Sequence, residues 1–175
     1  MSFDGIIREA VTDDAEQLIL HTKQVLREHS DVLAATVDEF NMTKEEEVEW
    51  IQTQKLEGLI LVAEVEGKIV GMLNFRLSPR KQFSHTGMFG MSIQEKYTNK
   101  GIGSALLKRL LEWAETDERV EKISLEVFSN NLRAIQLYKK FGFKEEGRMH
   151  KKVKFGPNEY VDQIVMGKWI RRNGK

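Results

Sequence analysis

Apolar and polar positions fall into short blocks whose period switches between two and that of a helix. Gly5 to Ala10 is a short β-prone run, and Thr12-Asp13-Asp14 then offers an N-cap and two first-turn acids to a helix reaching about His29. Thr43-Lys44-Glu45-Glu46 has capping-box spacing, with Thr43 as N-cap and Glu46 at the third helical position, which predicts a second helix to about Leu56. Leu59 to Val65 and Ile69 to Leu77 are aliphatic or β-branched runs joined at Glu66-Gly67-Lys68, the pattern of a tight hairpin.

After Ser78-Pro79-Arg80, His85 to Ile93 reads as a strand weakened by Gly87 and Gly90, which mark a bulge or a close backbone approach. Ser104 to Glu118 places Leu107, Leu110, Leu111 and Ala114 on one helical face, and Lys122 to Phe128 returns to strand. Asn131 to Phe141 repeats the helical spacing through Ala134, Leu137, Tyr138 and Phe141, with Gly142 as its C-terminal cap. Phe143 to Lys154 and Tyr160 to Trp169 form a final strand pair around the turn Phe155-Gly156-Pro157-Asn158. The pattern as a whole predicts an α/β (α+β) chain: a mixed sheet with about four helices, without internal repeat, low-complexity tract or linker. Residues 1–170 are expected to form a single domain and Arg171 to Lys175 a frayed tail.

Composition narrows the classes. A chain of 175 residues with 41% hydrophobic content can fill one core. The 27 basic and 27 acidic residues cancel, so no net field favours nucleic acid or an anionic membrane. The absence of cysteine excludes a disulfide framework, a thiol nucleophile and a thiolate zinc site. No window approaches the ~20 apolar residues of a membrane span, and the start Met-Ser-Phe-Asp-Gly-Ile-Ile-Arg has no signal-peptide core. A cytoplasmic protein is the expectation. His21 and His29 lie on one predicted helix without a patterned carboxylate pair, so no metal site is expected.

The chemistry concentrates first in Lys100-Gly101-Ile102-Gly103-Ser104-Ala105-Leu106-Leu107, where a glycine-rich turn, Asn99 to Ser104, follows a strand and runs straight into an amphipathic helix. The first N–H groups of a helix lack intrahelical partners and carry partial positive charge, and glycines let an anion approach them. Lys100 adds a full charge. A Rossmann fingerprint fails because Leu106 stands where a third Gly or Ala is required, and no Gly-Lys-Ser/Thr ending supports a Walker loop. By itself the turn is equally a tight strand-to-helix connection.

About 30 residues later comes Asn131-Leu132-Arg133-Ala134-Ile135-Gln136-Leu137-Tyr138-Lys139-Lys140-Phe141-Gly142-Phe143. Together, the glycine turn and this N-x-x-A-x-x-L-Y-x-x-x-G-F run resemble the GCN5-related N-acetyltransferase (GNAT) superfamily over nearly the whole chain. The family's Gln/Arg-x-x-Gly-x-Gly/Ala pattern aligns on Gly101 and Gly103, and its Gln/Arg position falls on Thr98. That departure moves the expected grip from a side chain to the backbone N–H groups of Lys100 to Ser104. His85-x-Gly87, Trp113-Ala114, Leu125-Glu126-Val127 and Tyr160-Val161-Asp162-x-x-x-Met166 resemble the bacterial amino-acid and amine N-acyltransferases of that superfamily.

The resemblance implies a mostly antiparallel sheet of about seven strands, splayed between the fourth and fifth, with acetyl-CoA as cosubstrate and no metal. Met91, Ser92 and Ile93 would line the splay, and the amide of Ile93 or Ser92 would face the developing oxyanion, with a bulge near Gly90 aiming it. Thr98, Asn99, Lys100, Gly101, Ile102, Gly103, Ser104, Asn131, Ala134 and Tyr138 complete the expected cofactor contacts. Asn131 is equally a good helix N-cap, and Tyr138 is equally a core aromatic on its apolar stripe. Tyr138 matches the family's general acid; Glu126 and His85 stand as equal candidates for the base. The acids Asp38, Glu39 and Glu45 to Glu49 are either a solvated helix face or the entrance for a cationic acceptor.

The expected reaction is direct transfer of an acetyl group to a primary amine of a small molecule in a ternary complex. Alternatives are a catalytically silent acyl-CoA-binding module and a protein N-terminal acetyltransferase. Neither nucleic acid nor membrane is expected as partner, and the resemblance points to a homodimer.

Overall fold

The computed structural model describes residues 3–170; the tail expected to fray, 171–175, lies outside the described residues. The strands are β1 (Ile6–Glu9), β2 (Gly58–Val65), β3 (Lys68–Leu77), β4 (Thr86–Ile93), β5 (Lys122–Phe128), β6 (Lys144–Gly156) and β7 (Glu159–Trp169). The helices are α1 (Ala15–Glu28), α2 (Lys44–Glu57), α3 (Ile102–Thr116) and α4 (Leu132–Lys140). One seven-stranded sheet runs in the order β1-β2-β3-β4-β5-β7-β6, and its one parallel pair is β4 with β5.

Local capping explains several boundaries. Thr43 Oγ1 accepts from the Glu46 amide at 3.2 Å while the Glu46 carboxylate accepts from the Thr43 amide at 2.8 Å, so the capping box starts α2 as expected. α4 ends at the anticipated place, where Gly142 takes φ of 87°. The start of α1 differs. Thr12 is not its N-cap; Thr12–Asp14 forms a short 3-10 turn, and the Asp14 carboxylate is held by Arg8 at 2.7 and 2.8 Å and by the Val11 amide at 2.8 Å. A tertiary ion pair has captured the acid that the local pattern assigned to the helix dipole.

Strand alternation divides the core into two layers. Leu61, Leu73, Phe75, Phe89, Ile123, Leu125 and Val127 pack with α3 and Tyr138 of α4 on one face. Ile60, Val62 and Ile69 pack with Leu18 of α1 and Ile51 of α2 on the other. α3 and α4 therefore share one side of the sheet. α1 and α2 cover the other over β2 and β3.

The feature that positions the site is the short β4–β5 ladder. Pairing covers only Thr86↔Lys122, Gly87↔Ile123 and Met88↔Ser124, after which the strands part. From Phe89 onward β3 is the one strand paired with β4, in unbroken register from Gly71↔Ile93 to Leu77↔Gly87. The bulge expected near Gly90 is therefore absent from that ladder: opening of the sheet needs loss of one neighbour, not an extra residue.

Candidate functional site

Register identifies which backbone groups face the gap. The Gln94 amide donates to the Val70 carbonyl and the Ser78 amide to the Thr86 carbonyl, both at 3.0 Å, so the even-numbered residues of β4 exchange bonds with β3. Alternation then turns the N–H and C=O groups of Phe89, Met91 and Ile93 toward β5, beyond the end of the ladder. Of the two amides considered for the oxyanion, Ile93 faces the gap and Ser92 faces β3. The same reasoning applies across the gap. Ser129 and Ile170 donate to Asp162 and Glu121 at 2.9 and 2.8 Å, which directs the odd residues of β5 to β7 and leaves Glu126 and Phe128 facing the opening.

The gap opens onto the N-terminus of α3. Gly101 is its N-cap with φ of 83°, a left-handed conformation suited to glycine, and the first helical bond is Ala105 to Gly101 at 3.0 Å. The amides of Gly101 to Ser104 thus precede the first intrahelical bond and remain available to an anion. Gly103 also sits close to α4: a Cβ there would lie 2.8 Å from Leu137 Cδ2, so the side chain of Leu137 would have to shift.

A cavity of about 690 Å³ joins these parts, within the ~300–1,000 Å³ of small-molecule and cofactor clefts. Met91, Ser92, Ile93, Thr98, Asn99, Gly101, Ile102, Gly103, Ser104, Asn131, Ala134 and Tyr138 all line it. Lys100 does not; its Nζ stands 5.3 Å from the centre of the Tyr97 ring. The cavity also takes walls that sequence reasoning missed: His29, Val32 and Leu33 after α1, and Arg133 and Lys140 on α4. Arg133 lies inside the recognised N-x-x-A run, so its signal was present. The loop walls have no local pattern to announce them.

Asn131 combines its two readings. Its Oδ1 accepts from the Ala134 amide at 3.3 Å as a helix cap, and the residue also lines the cavity. Tyr138 is buried with its ring edge-to-face on Phe89 at 5.6 Å and on Phe143 at 6.2 Å, and burial pushes its hydroxyl up to about 12. It therefore carries its proton throughout the neutral and moderately alkaline range.

The two base candidates separate. His85 precedes β4 at the closed end of the V, stacked on Trp169 at 6.4 Å and lining a different hollow of about 450 Å³. The structure does not bring it to the cleft, because the strands diverge only after Met88 and Ser124. Glu126 lies on the diverging part of β5, exposed on the face opposite Leu125 and Val127, and accepts a hydrogen bond from Gln163 Nε2; like His85, it does not itself line the cavity. The acidic run also sorts itself: Glu46 and Glu39 close local caps, Glu45 and Glu49 are exposed, and Glu47 is buried and pushed up to about 7 by desolvation. None of them lines the cavity. Among the described residues no group of acids and histidines has the arrangement of a metal site, and no helix is long and apolar enough to cross a membrane.

Comparison with known proteins follows the same geometry. Residues 24–143 match the model of the acetyltransferase (GNAT) family. The chain is 38% identical over 108 residues to the L-amino acid N-acetyltransferase AaaT of Escherichia coli (strain K12), covering 62% of this chain and 66%, just under two thirds, of that relative. A crystal structure of a GNAT-family acetyltransferase from Streptococcus pneumoniae superposes with a TM-score of 0.90 at 31% identity, covering 96% of this chain and 100% of that one. The structure of yncA from Salmonella typhimurium, solved with its cofactor acetyl-CoA, shares the fold with a TM-score of 0.84 at 22% identity, covering 99% of this chain and 98% of that one.

Proposed function

The chain belongs to the acetyltransferase (GNAT) family, and from that membership we propose that it moves an acetyl group from acetyl-CoA to the primary amine of a small molecule, in one ternary complex. The observation that carries this reading is the junction of the β4–β5 gap with the free amides of α3. One end of that cleft suits a pyrophosphate. The other presents a row of unpaired strand amides that suits a pantetheine arm and its thioester. Arg133 and Lys140 supply cationic walls where Thr98 lacks the family's long side chain.

The residues divide the work. The amides of Gly101 to Ser104 hold the phosphates, and the edges of Met91 and Ile93 hold the extended arm. As the amine nitrogen bonds to the carbonyl carbon, the Ile93 N–H receives the negative charge that develops on oxygen. When the carbon–sulfur bond breaks, the Tyr138 hydroxyl gives its proton to the departing sulfur. The proton lost by the amine goes to Glu126, directly or through water, since Glu126 stands on the diverging half of β5. No acyl-enzyme is required, in keeping with a chain that has no cysteine.

The relative named for L-amino acids favours a small amine acceptor over a polypeptide. A thiol-release assay over a panel of amino acids, polyamines and one peptide with a free N-terminus tests the reading. Saturable turnover with a small amine supports it. Turnover confined to the peptide replaces the acceptor class, and saturable CoA binding without thiol release for any amine sinks the enzyme.

A further inference from the structure

Two histidines of the α1 region, set aside as a metal pair, both reach the end of β4. Gln94 Nε2 donates to the Ile69 carbonyl at 3.2 Å, which fixes it as the amide nitrogen, and it stands 3.3 Å from His21 Nδ1. Nδ1 of His21 is therefore the acceptor, its proton sits on Nε2, and that N–H meets Ser92 Oγ at 2.9 Å. Burial holds His21 neutral, lowered to about 4, so this tie persists at ordinary pH. His21 anchors the strand from the α1 face.

His29, the C-cap of α1, acts on the next residue from the cleft side. Its Nε2 lies 2.9 Å from the carbonyl oxygen of Ile93, and because a carbonyl only accepts, Nε2 carries a proton and donates it. The other ring nitrogen faces Glu95 Oε2 at 3.6 Å. Glu95 is itself held by its amide on Glu28 Oε2 at 2.8 Å and stands 3.6 Å from Arg133. The ring is thus gripped from both sides, and it lines the cavity.

We infer that His29 is a positioning residue that prepares the Ile93 amide to receive an oxyanion. The inference rests on the acyl-transfer reading above and adds a physical requirement to it. Residue 93 turns its N–H and its C=O to the same side, so the negative end of the carbonyl dipole points into the gap where negative charge must be stabilised. The His29 N–H satisfies that carbonyl and offsets its field. It also replaces the ladder bond that β5 no longer supplies, which keeps the end of β4 from rotating. The effective donor is then Ile93 N–H backed by His29, not a bare strand edge.

The test compares parent, His29→Ala and His29→Gln, the last retaining a side-chain N–H. Calorimetry gives the affinities for CoA and acetyl-CoA, NMR follows the Ile93 amide proton on adding acetyl-CoA, and steady-state assays separate kcat from KM for the amine. Removing one oxyanion donor outright costs ~10²–10³ in kcat; misalignment by loss of His29 is expected to lower kcat by about tenfold to a hundredfold, with partial recovery in His29→Gln. CoA affinity should stay within about twofold, because the α3 amides still hold its phosphates and Met91 still meets its arm, while the Ile93 shift collapses and acetyl-CoA binds no more tightly than CoA. Equal weakening of CoA and acetyl-CoA, or an unchanged kcat and Ile93 shift in His29→Ala, overturns the inference. Should the parent bind acetyl-CoA yet release no thiol with any amine, the transfer reading fails by itself, and the Ile93 shift still decides whether His29 positions that amide.

Discussion

The ring of Phe75 occupies the space that a side chain on Gly87 would need. A Cβ at Gly87 would also stand 2.8 Å from the Arg76 carbonyl oxygen, a backbone atom that cannot swing aside. Gly87 belongs to the last paired segment before β4 and β5 separate, so this close approach holds the hinge of the V. Gly90, on the free part of β4, has only Asn74 Oδ1 near its missing Cβ, at 3.4 Å.

Gly87→Ala is accordingly expected to destabilise the fold by about 1–3 kcal/mol, the usual cost of forcing extra atoms into a packed core. Gly90→Ala should change stability by less than about 0.5 kcal/mol, as exposed substitutions without a special role do. Urea denaturation of the two variants beside the parent checks both. Equal losses would show that the two glycines do the same job, contrary to the geometry.

Tyr138→Phe isolates the hydroxyl from the ring. The ring contacts with Phe89 and Phe143 survive the change, so the melting temperature should move little. Turnover should fall by about tenfold to a hundredfold, near the lower end of general acid catalysis, because a thiol with an ordinary pKa of ~8.5 already leaves tolerably as thiolate. The hydroxyl, pushed up to about 12, remains a donor through the assay range, so the parent should show no alkaline loss from this group below about pH 11. Matching turnover of variant and parent from neutral to alkaline pH would remove Tyr138 from the mechanism and leave it a core aromatic.

Features whose cause is local were legible in the sequence. The Thr43–Glu46 box, the Asn131 cap and the Gly142 terminus depend on residues within one turn of each other, and each stands where the pattern placed it. The glycine turn into α3 and the α4 run were legible for the same reason. What depends on tertiary contact was not. Asp14 answers Arg8 instead of the helix it precedes, and Lys100 turns onto Tyr97 instead of toward the cleft. His85 lies just before β4 and Ile93 ends it, so the two stand at the closed and open ends of the V, a difference set by where β5 leaves β4. His29 bonds a residue 64 positions away, and no periodicity on α1 could announce that.

Burial makes Glu47 a pH-dependent liability. Its carboxyl is pushed up to about 7 in the fold, against an ordinary ~4.3 in an unfolded chain. Between those values the folded state binds more protons than the unfolded state, so this group's contribution makes stability fall as pH rises through the window and level off above it. Glu47→Gln removes the titration. The melting-temperature difference, variant minus parent, is therefore expected to grow from about pH 4.5 to about pH 7.5 and then stay flat. A difference independent of pH would mean that Glu47 ionises in the fold as it does in water.

Glu126 poses a sharper question than its position alone answers, because a carboxylate beside an amine can either hold the ammonium ion or remove its proton. The two roles separate in kinetics. A group that only holds the cation affects KM, whereas a base that assists attack affects kcat. In the second case the deficit of Glu126→Gln also shrinks once the free amine is abundant, since solution chemistry then supplies the deprotonated nucleophile. An amino-acid amide or short peptide, whose α-amine has a pKa of ~8, should recover about two pH units below an alkylamine, with a pKa of ~10.4. We expect a loss of about a hundredfold in kcat at neutral pH, of the size usual for general base catalysis, with that ordered recovery as pH rises. Gln163, which donates to Glu126, supplies a control: Gln163→Ala leaves the carboxylate in place and should cost less than the loss of the carboxylate itself. A deficit confined to KM, or one that stays constant from neutral to alkaline pH for both amines, would assign proton removal to a water chain and leave Glu126 outside the chemical step.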